Sequence, residues 1–453
     1  MNRTRSHKTV RHFHGMLAVL LLLAPGALHA QPQQKKPAKP KVSAGSKNAE
    51  DPLALLLQQA VQSIDKMDFA AALDPLQKYI AERPNDAYAH FQLGYAYAGL
   101  KRSQDALSEF SRAVALDPKM EPAYLNLGLV EMQSDPAAAA EAFRHASELK
   151  PGESRPRFLE GFSLEHAGKL PEAIERYRAA LALSPNDYEI HFALGRALLR
   201  TNDAAGAEKQ FRMAIAVRGD VAAARLGLAN ALLEQKKYQD ASGALADYLK
   251  LNPTDRAAHF DRASTLLNLN QLDDALAELD LAQAGSAPTM QTLKMRGDIY
   301  TRQKEWSKAA EVLTQAIRQS PQDEDLARWL GHVELELRNY PAAINILGQV
   351  NHRFPKDADT LSDLANALFL NENYSAALAA MDRLDALEPP KPGSWFIRAI
   401  CYDKLLRRAE AMDAYQKFLD QDNGQHDTQD FQARHRIIAL QGDLGETPKK
   451  KKK

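Results

Sequence analysis

Cysteine is almost absent from this chain: there is one, Cys401, in 453 residues. A single thiol cannot close an intramolecular disulfide, so no covalent framework substitutes for a core. Ile400 and Tyr402 flank it, which is the setting of a helix interior. Its expected role is that of a small buried hydrophobe, because a reactive thiol needs exposure and a depressed pKa. Net charge is lacking too, with 58 basic residues against 58 acidic ones. No global field draws such a chain to nucleic acid, and no nucleic-acid partner is expected. The sequence has no P-loop, no glycine-rich dinucleotide turn, no nucleophile elbow and no His or Cys cluster at metal-ligand spacing. Catalytic, cofactor-binding and metal-binding residues are therefore all expected to be none, and the chain is expected not to be an enzyme. Nor does any apolar run reach the ~20 residues that span a bilayer as a helix.

The first apolar run belongs to a different pattern. Arg3, Arg5, Lys8 and Arg11 are followed by the short core from Met16 to Leu23, by Pro25 and Gly26, and by Ala27-Leu28-His29-Ala30. A positive region, a short apolar core and a small-residue cleavage site make a secretory signal. Residues 1–30 are expected to be a cleaved signal peptide and the product to be periplasmic or secreted. His12 and His14, the one metal-like pair here, sit in the part that is discarded. Residues 31–52 are rich in Lys, Pro, Gln, Ser and Gly, cannot bury much surface, and are expected to form a disordered linker.

What the rest of the chain has is a beat. Ala72, Ala106, Ala139, Ala173, Ala207, Ala241, Ala275, Ala309, Ala343, Ala377 and Ala411 are spaced by 34 residues, with one step of 33 between Ala106 and Ala139. Four residues after each comes a large side chain, as in Phe110, Phe143, Tyr177, Phe211 and Leu347. Eleven or twelve residues before each comes Gly or Ala, as in Gly94, Gly128, Gly161, Gly195 and Gly331. Prolines such as Pro84, Pro118, Pro185 and Pro253 close most repeats. Small residues allow two antiparallel helices to approach, and a large residue one turn on fills the space beside them. The small residue of the first helix is expected to face the alanine of the second. Proline cannot continue a helix, so it punctuates the series. Acidic pairs such as Asp273-Asp274 fall at helix starts, where they complement the dipole. His90 and His191 share one slot of their repeats, where packing on the helix surface is expected.

Leu93-Gly94-Tyr95-Ala96-Tyr97, Ala106-Leu107-Ser108-Glu109-Phe110 and Pro118 resemble the tetratricopeptide repeat, and the chain resembles the exported bacterial members of that family. The resemblance implies an all-α fold, a right-handed superhelical solenoid of helix-turn-helix repeats. Eleven repeats are expected over residues 53–424 and a capping helix over 425–444, with Phe431, His435, Ile438 and Leu440 as its apolar stripe. Residues 445–453 are expected to be a basic disordered tail.

The resemblance also implies that the first helix of each repeat lines a concave groove, with its fifth and ninth residues leaning inward. Those slots are apolar or aromatic in repeats one to four and polar in eight to ten. The expected groove comprises Phe91, Tyr95, Leu125, Leu129, Phe158, Phe162 and Phe192, with Arg196 and Arg200 marking where it turns polar. Members that clamp a terminal carboxylate use Lys, Asn, Asn, Lys and Arg on three successive repeats. Repeats two to four here carry Phe91, Tyr95, Asn126, Arg155 and Leu159 instead. The expected function is a non-catalytic protein-interaction scaffold of the cell envelope that binds extended segments of other proteins. The alternative is an envelope-assembly or polysaccharide-handling component using the same groove. In that reading Lys35, Lys36, Lys39, Lys41 and Lys449 to Lys453 touch an anionic envelope surface.

Overall fold

The structure, a computed structural model, describes residues 51–422 and 424–443. The expected signal peptide, nearly all of the linker, the basic tail and the lysine-rich ends lie outside the described residues. Those residues form 23 α-helices and no strand, and none of the helices is long and apolar enough to cross a membrane. Two compact units are present, one ending at Pro84 and the other beginning at Asn85.

The first unit is a single helix pair, α1 (Pro52–Asp65) and α2 (Phe69–Glu82). Asp51 opens α1 by accepting a hydrogen bond from the Leu53 amide at 3.1 Å, with Pro52 at the first helical position where its missing N–H costs nothing. Asp68 caps α2 in the same way from Ala71, also at 3.1 Å. Ala60, Ile64, Ala72, Leu76 and Tyr79 are buried in this pair.

The second unit holds ten further pairs and a last helix. In chain order they are α3 (Ala87–Gly99), α4 (Ser103–Leu116), α5 (Glu121–Glu131), α6 (Pro136–Leu149), α7 (Ser154–His166), α8 (Leu170–Leu183), α9 (Tyr188–Arg200) and α10 (Ala204–Val217). Next come α11 (Ala222–Glu234), α12 (Tyr238–Leu251), α13 (Arg256–Asn268), α14 (Leu272–Gln283), α15 (Met290–Arg302) and α16 (Trp306–Gln319). The series ends with α17 (Glu324–Glu336), α18 (Tyr340–Arg353), α19 (Ala358–Leu370), α20 (Tyr374–Asp385), α21 (Pro392–Lys404), α22 (Arg408–Asp422) and α23 (Asp427–Asp443). Within this unit each helix from α4 to α22 packs on its predecessor and its successor in the chain, which is the connectivity of a solenoid. Within this unit several odd helices also touch the odd helix of the next pair (α7 with α9, α17 with α19), so they occupy the tighter side of the stack.

All eleven periodic alanines are fully buried. The small residues of the odd helices are needed for a reason slightly different from the one expected. A Cβ placed on Gly94 would stand 2.8 Å from the Phe110 ring, so the backbone of α3 rests directly on that ring. Glycine here faces the large residue of the paired helix, and the alanine lies beside it. Phe110, Phe143, Tyr177 and Phe211 are all fully buried in this arrangement.

The turns inside the pairs share a second regularity that composition hides. Lys101, Asn202, Lys236, Asn270, Lys304, Arg338, Glu372 and Leu406 all have φ near +60°, and Gly168 takes the same slot. A left-handed residue costs an L-amino acid about 1–2 kcal/mol. The compensation is a closing backbone bond across the turn, such as Arg102 N to Tyr97 O at 2.9 Å. The pair containing α5, one residue shorter than its neighbours, closes without a left-handed residue, through Asp135 N to Glu131 O at 2.7 Å. That is where the single step of 33 residues is absorbed. Between pairs, prolines such as Pro118, Pro185 and Pro253 stand in the turn just after an even helix. An aspartate then frequently caps the next odd helix, as Asp86, Asp187 and Asp255 do.

The last helix covers the array with a different face from the expected one. Ala433 and Leu440 are fully buried and Ile437 packs beside them against Phe396, Ala399, Ala411, Ala414, Tyr415 and Phe418. Phe431 and Ile438 are each 62% exposed. Phe431, His435 and Ile438 lie about half a turn away from that buried face, and of the expected stripe only Leu440 faces inward. Cys401 is buried in the neighbouring core, and burial pushes its thiol up to about 11, as expected for an inert hydrophobe.

Candidate interaction face

The fifth and ninth positions of the odd helices fall one turn apart on one helix face. In α3, α5, α7 and α9 they carry Phe91 and Tyr95, Leu125 and Leu129, Phe158 and Phe162, and Phe192 and Arg196. The structure places these on successive odd helices. Phe91, Tyr95, Leu125, Leu129, Phe162 and Phe192 are half-buried, whereas Phe158 is buried. Phe158 therefore contributes chiefly to packing, and Phe162 presents the accessible ring of α7.

Each fifth-position ring is anchored on the large residue of its own pair. Phe91 lies 5.9 Å from Phe110, Phe158 5.8 Å from Tyr177, and Phe192 5.9 Å from Phe211 between ring centroids. Phe91 also meets Tyr95 at 6.3 Å, and Phe162 meets His166 at 4.5 Å. Such rings are held from below and offer area above, which keeps the entropy lost on contact small. Tyr188, which lies outside the fifth and ninth positions, extends the strip by stacking on Phe192 at 5.9 Å with the rings 7° from parallel.

Where the strip ends, charge gathers around one carboxylate. Glu165 of α7 is buried, and three groups donate to it: Tyr177 Oη at 2.9 Å, Arg196 Nη2 at 2.9 Å and Arg200 Nη1 at 2.8 Å. Arg196 and Arg200 stand out in the sequence as the polar end of the groove, whereas their partners Glu165 and Tyr177 do not. The signal was available: Glu165 precedes the two arginines by 31 and 35 residues, which is one repeat less or more by under a helical turn.

Farther along, the odd helices carry matched ion pairs. Lys294 bonds Asp323 at 2.9 Å, Arg328 bonds Asp357 at 3.0 Å and His332 meets Asp363 at 3.2 Å. The bond to Asp363 pulls the His332 imidazole up from its ordinary range. These links join adjacent odd helices and replace the apolar contacts of the earlier pairs.

The histidines pack as expected. His90 Nδ1 meets Glu109 at 2.6 Å, and His191 meets Gln210 at 2.8 Å and the Pro185 carbonyl at 2.9 Å. His259 repeats the arrangement with Glu278 at 2.6 Å. Burial raises the Glu160 carboxyl of α7 to about 6, and its ion-pair partner is Arg176 at 3.6 Å on α8, so it faces the even helices and not the strip. Among the described residues no group of three or more His, Cys, Asp and Glu side chains is arranged to hold a metal ion.

Comparison with known proteins agrees with this architecture. Family profiles described as tetratricopeptide repeat match residues 64–121, 192–253, 226–290, 300–359, 334–395 and 394–422, and one described as TPR repeat matches 166–202. The chain is similar to the DnaJ homolog subfamily C member 7 homolog of Schizosaccharomyces pombe, with 28% identity over 108 residues. That stretch spans 23% of this chain and 23% of the relative. Among solved structures it is similar to MamA (22% identity, 37% of this chain and 92% of that one, TM-score 0.36). It is also similar to YrrB, described as a TPR protein with an unusual peptide-binding site (19% identity, 44% of this chain and 100% of that one, TM-score 0.38). Yeast Tom70 aligns over 86% of this chain and 96% of its own, at 13% identity and a TM-score of 0.31. With the periodic alanines buried, the helices paired in series and seven repeat matches spread along the chain, this protein belongs to the tetratricopeptide repeat family and is an all-α protein-interaction scaffold.

Proposed function

We propose that this scaffold is non-catalytic, that it works in the cell envelope, and that it holds an extended segment of another protein across α3, α5, α7 and α9. The observation that supports this most is the run of half-buried side chains on successive odd helices: Phe91, Tyr95, Leu125, Leu129, Phe162 and Phe192. Contiguous accessible apolar area of this kind is rare on a protein that works alone. A segment of unfolded partner would cover it with alternate side chains while its backbone stays solvated.

The test is a variant in which Phe91, Tyr95 and Phe162 are all replaced by alanine, compared with one altered at Phe431 and Ile438 on the last helix. Crosslinking in native extracts with mass-spectrometric identification should show the partners lost from the first variant and retained by the second. Loss of about 1.4 kcal/mol of contact weakens binding tenfold. Equal capture by both variants, with helicity intact, rules the face out.

The envelope setting rests on the basic residues, short apolar core and small-residue site within residues 1–30. N-terminal sequencing of the protein recovered from fractionated cells should begin at Gln31. A mature chain that still carries Met1 removes the envelope setting and leaves the groove reading untouched.

A further inference from the structure

The cluster at Glu165 is unbalanced. Two guanidinium groups share one buried carboxylate, and Tyr177 adds a neutral donor. The Glu165 side chain is 4% exposed, those of Arg196 and Arg200 27% and 45%. The anion is therefore sealed below while both cations reach the surface. Each guanidinium has five N–H donors in a fixed fork and spends one of them on Glu165. The other acidic residue of α9, Glu189, is occupied by Arg155 at 3.4 Å. His166 does not alter the balance near neutral pH. Burial pushes its imidazole down, and the two arginines add to this against the pull of Glu165. Elsewhere the ion pairs that join one described odd helix to the next match each cation with a carboxylate, as Lys294 with Asp323, Arg328 with Asp357 and Arg436 with Asp403. The aromatic strip thus ends on one uncompensated positive charge.

Its position relative to the strip sets the ligand. Phe192 lies one helical turn before Arg196 on the same face of α9, a rise of about 6 Å. Two residues of an extended chain span about 6–7 Å. Resting on the groove reading above, we propose that the segment held by this face carries an internal Asp or Glu side chain two or three residues from an apolar one. The carboxylate meets Arg196 and Arg200 while the apolar group lies on Phe162 and Phe192. Arginine suits this task because its planar fork meets a carboxylate through two parallel bonds.

The experiment uses the full mature chain and two pools of fluorescein-labelled octapeptides, acetylated or labelled at one end and amidated at the other. In both, a central Phe or Leu is fixed and the remaining positions are Gly, Ser or Thr. One pool has Glu two residues from the apolar side chain, the other has Gln there. Anisotropy should show the Glu pool binding about tenfold tighter, with the advantage shrinking as salt rises. Arg200→Gln leaves Glu165 with Tyr177 and Arg196, so the fold is retained. This variant should bind both pools as the parent chain binds the Gln pool. Equal binding of the two pools by the parent chain, or a Glu preference that survives Arg200→Gln, overturns the acidic specificity while the apolar groove stands. Absence of binding by either pool to a folded chain overturns the groove reading itself.

Discussion

Replacing Phe211 with alanine is expected to destabilise the middle of the array by about 3–5 kcal/mol, the range for deleting a fully buried ring from a core that cannot collapse around the void. The site cannot collapse because the ring is clasped by two backbones. A Cβ on Gly195 of α9 would lie 3.0 Å from it and one on Gly227 of α11 would lie 2.5 Å from it. Phe211 itself is 1% exposed. One side chain of α10 therefore joins its own pair and fastens it to the next. In a solenoid, stability is carried by nearest-neighbour interfaces, so the damage should be local. Hydrogen exchange should show lost protection across α9, α10 and α11, with α19 to α22 unchanged. The reciprocal change, Gly227→Val, should produce the same pattern, because the ring has nowhere to retreat. A uniform loss along the whole chain, or no loss in α9 and α11, would contradict this account.

Glu165→Leu is the second large effect, expected to cost about 2–4 kcal/mol. Leucine fills the volume but leaves the Tyr177 hydroxyl buried with no acceptor and two arginines without their common anion. The upper end of the usual range for a broken buried pair is not reached, since Arg200 is nearly half exposed and water takes over part of its solvation. Adding Tyr177→Phe should recover part of the loss by removing the orphaned donor, and Glu165→Gln should fall between the parent and the leucine variant. Urea unfolding of the four proteins measures this directly. If Glu165→Leu matches the parent, the cluster does not hold α7 to α9.

Much of this molecule is visible in one dimension because its contacts are local. Ala106, Phe110 and Gly94 lie within sixteen residues of one another, and the same three-residue signature returns with each pair. Register, helix pairing and the order of packing all follow from that recurrence. The left-handed turn residues were not visible, because Lys101, Arg338, Glu372 and Leu406 have no chemical preference for positive φ. They adopt it since two helices fastened by Gly94 and Phe110, and by their counterparts, must be joined in three residues.

The interaction face was legible as a set of slots but not as a surface. Phe158 and Phe162 are both aromatic and one turn apart, yet one is buried and the other half-exposed. The charge sharing at Glu165 crosses from α7 to α9 and depends on how far one pair is rotated on the next. On the last helix, Ala433, Ile437 and Leu440 face the core while Phe431 and Ile438 face outward. Side-chain hydrophobicity alone favoured the second set.

By itself the sequence determined the helical class, the pairing and the beat, because small and large residues at fixed short offsets permit a single close packing of neighbouring helices. Only the tertiary structure decided which face of α23 seals the array, which rings remain accessible and which arginines share an anion. Those outcomes turn on how each helix is rotated against its neighbours, and that rotation is set by side chains meeting across the interface rather than by any periodicity along the chain.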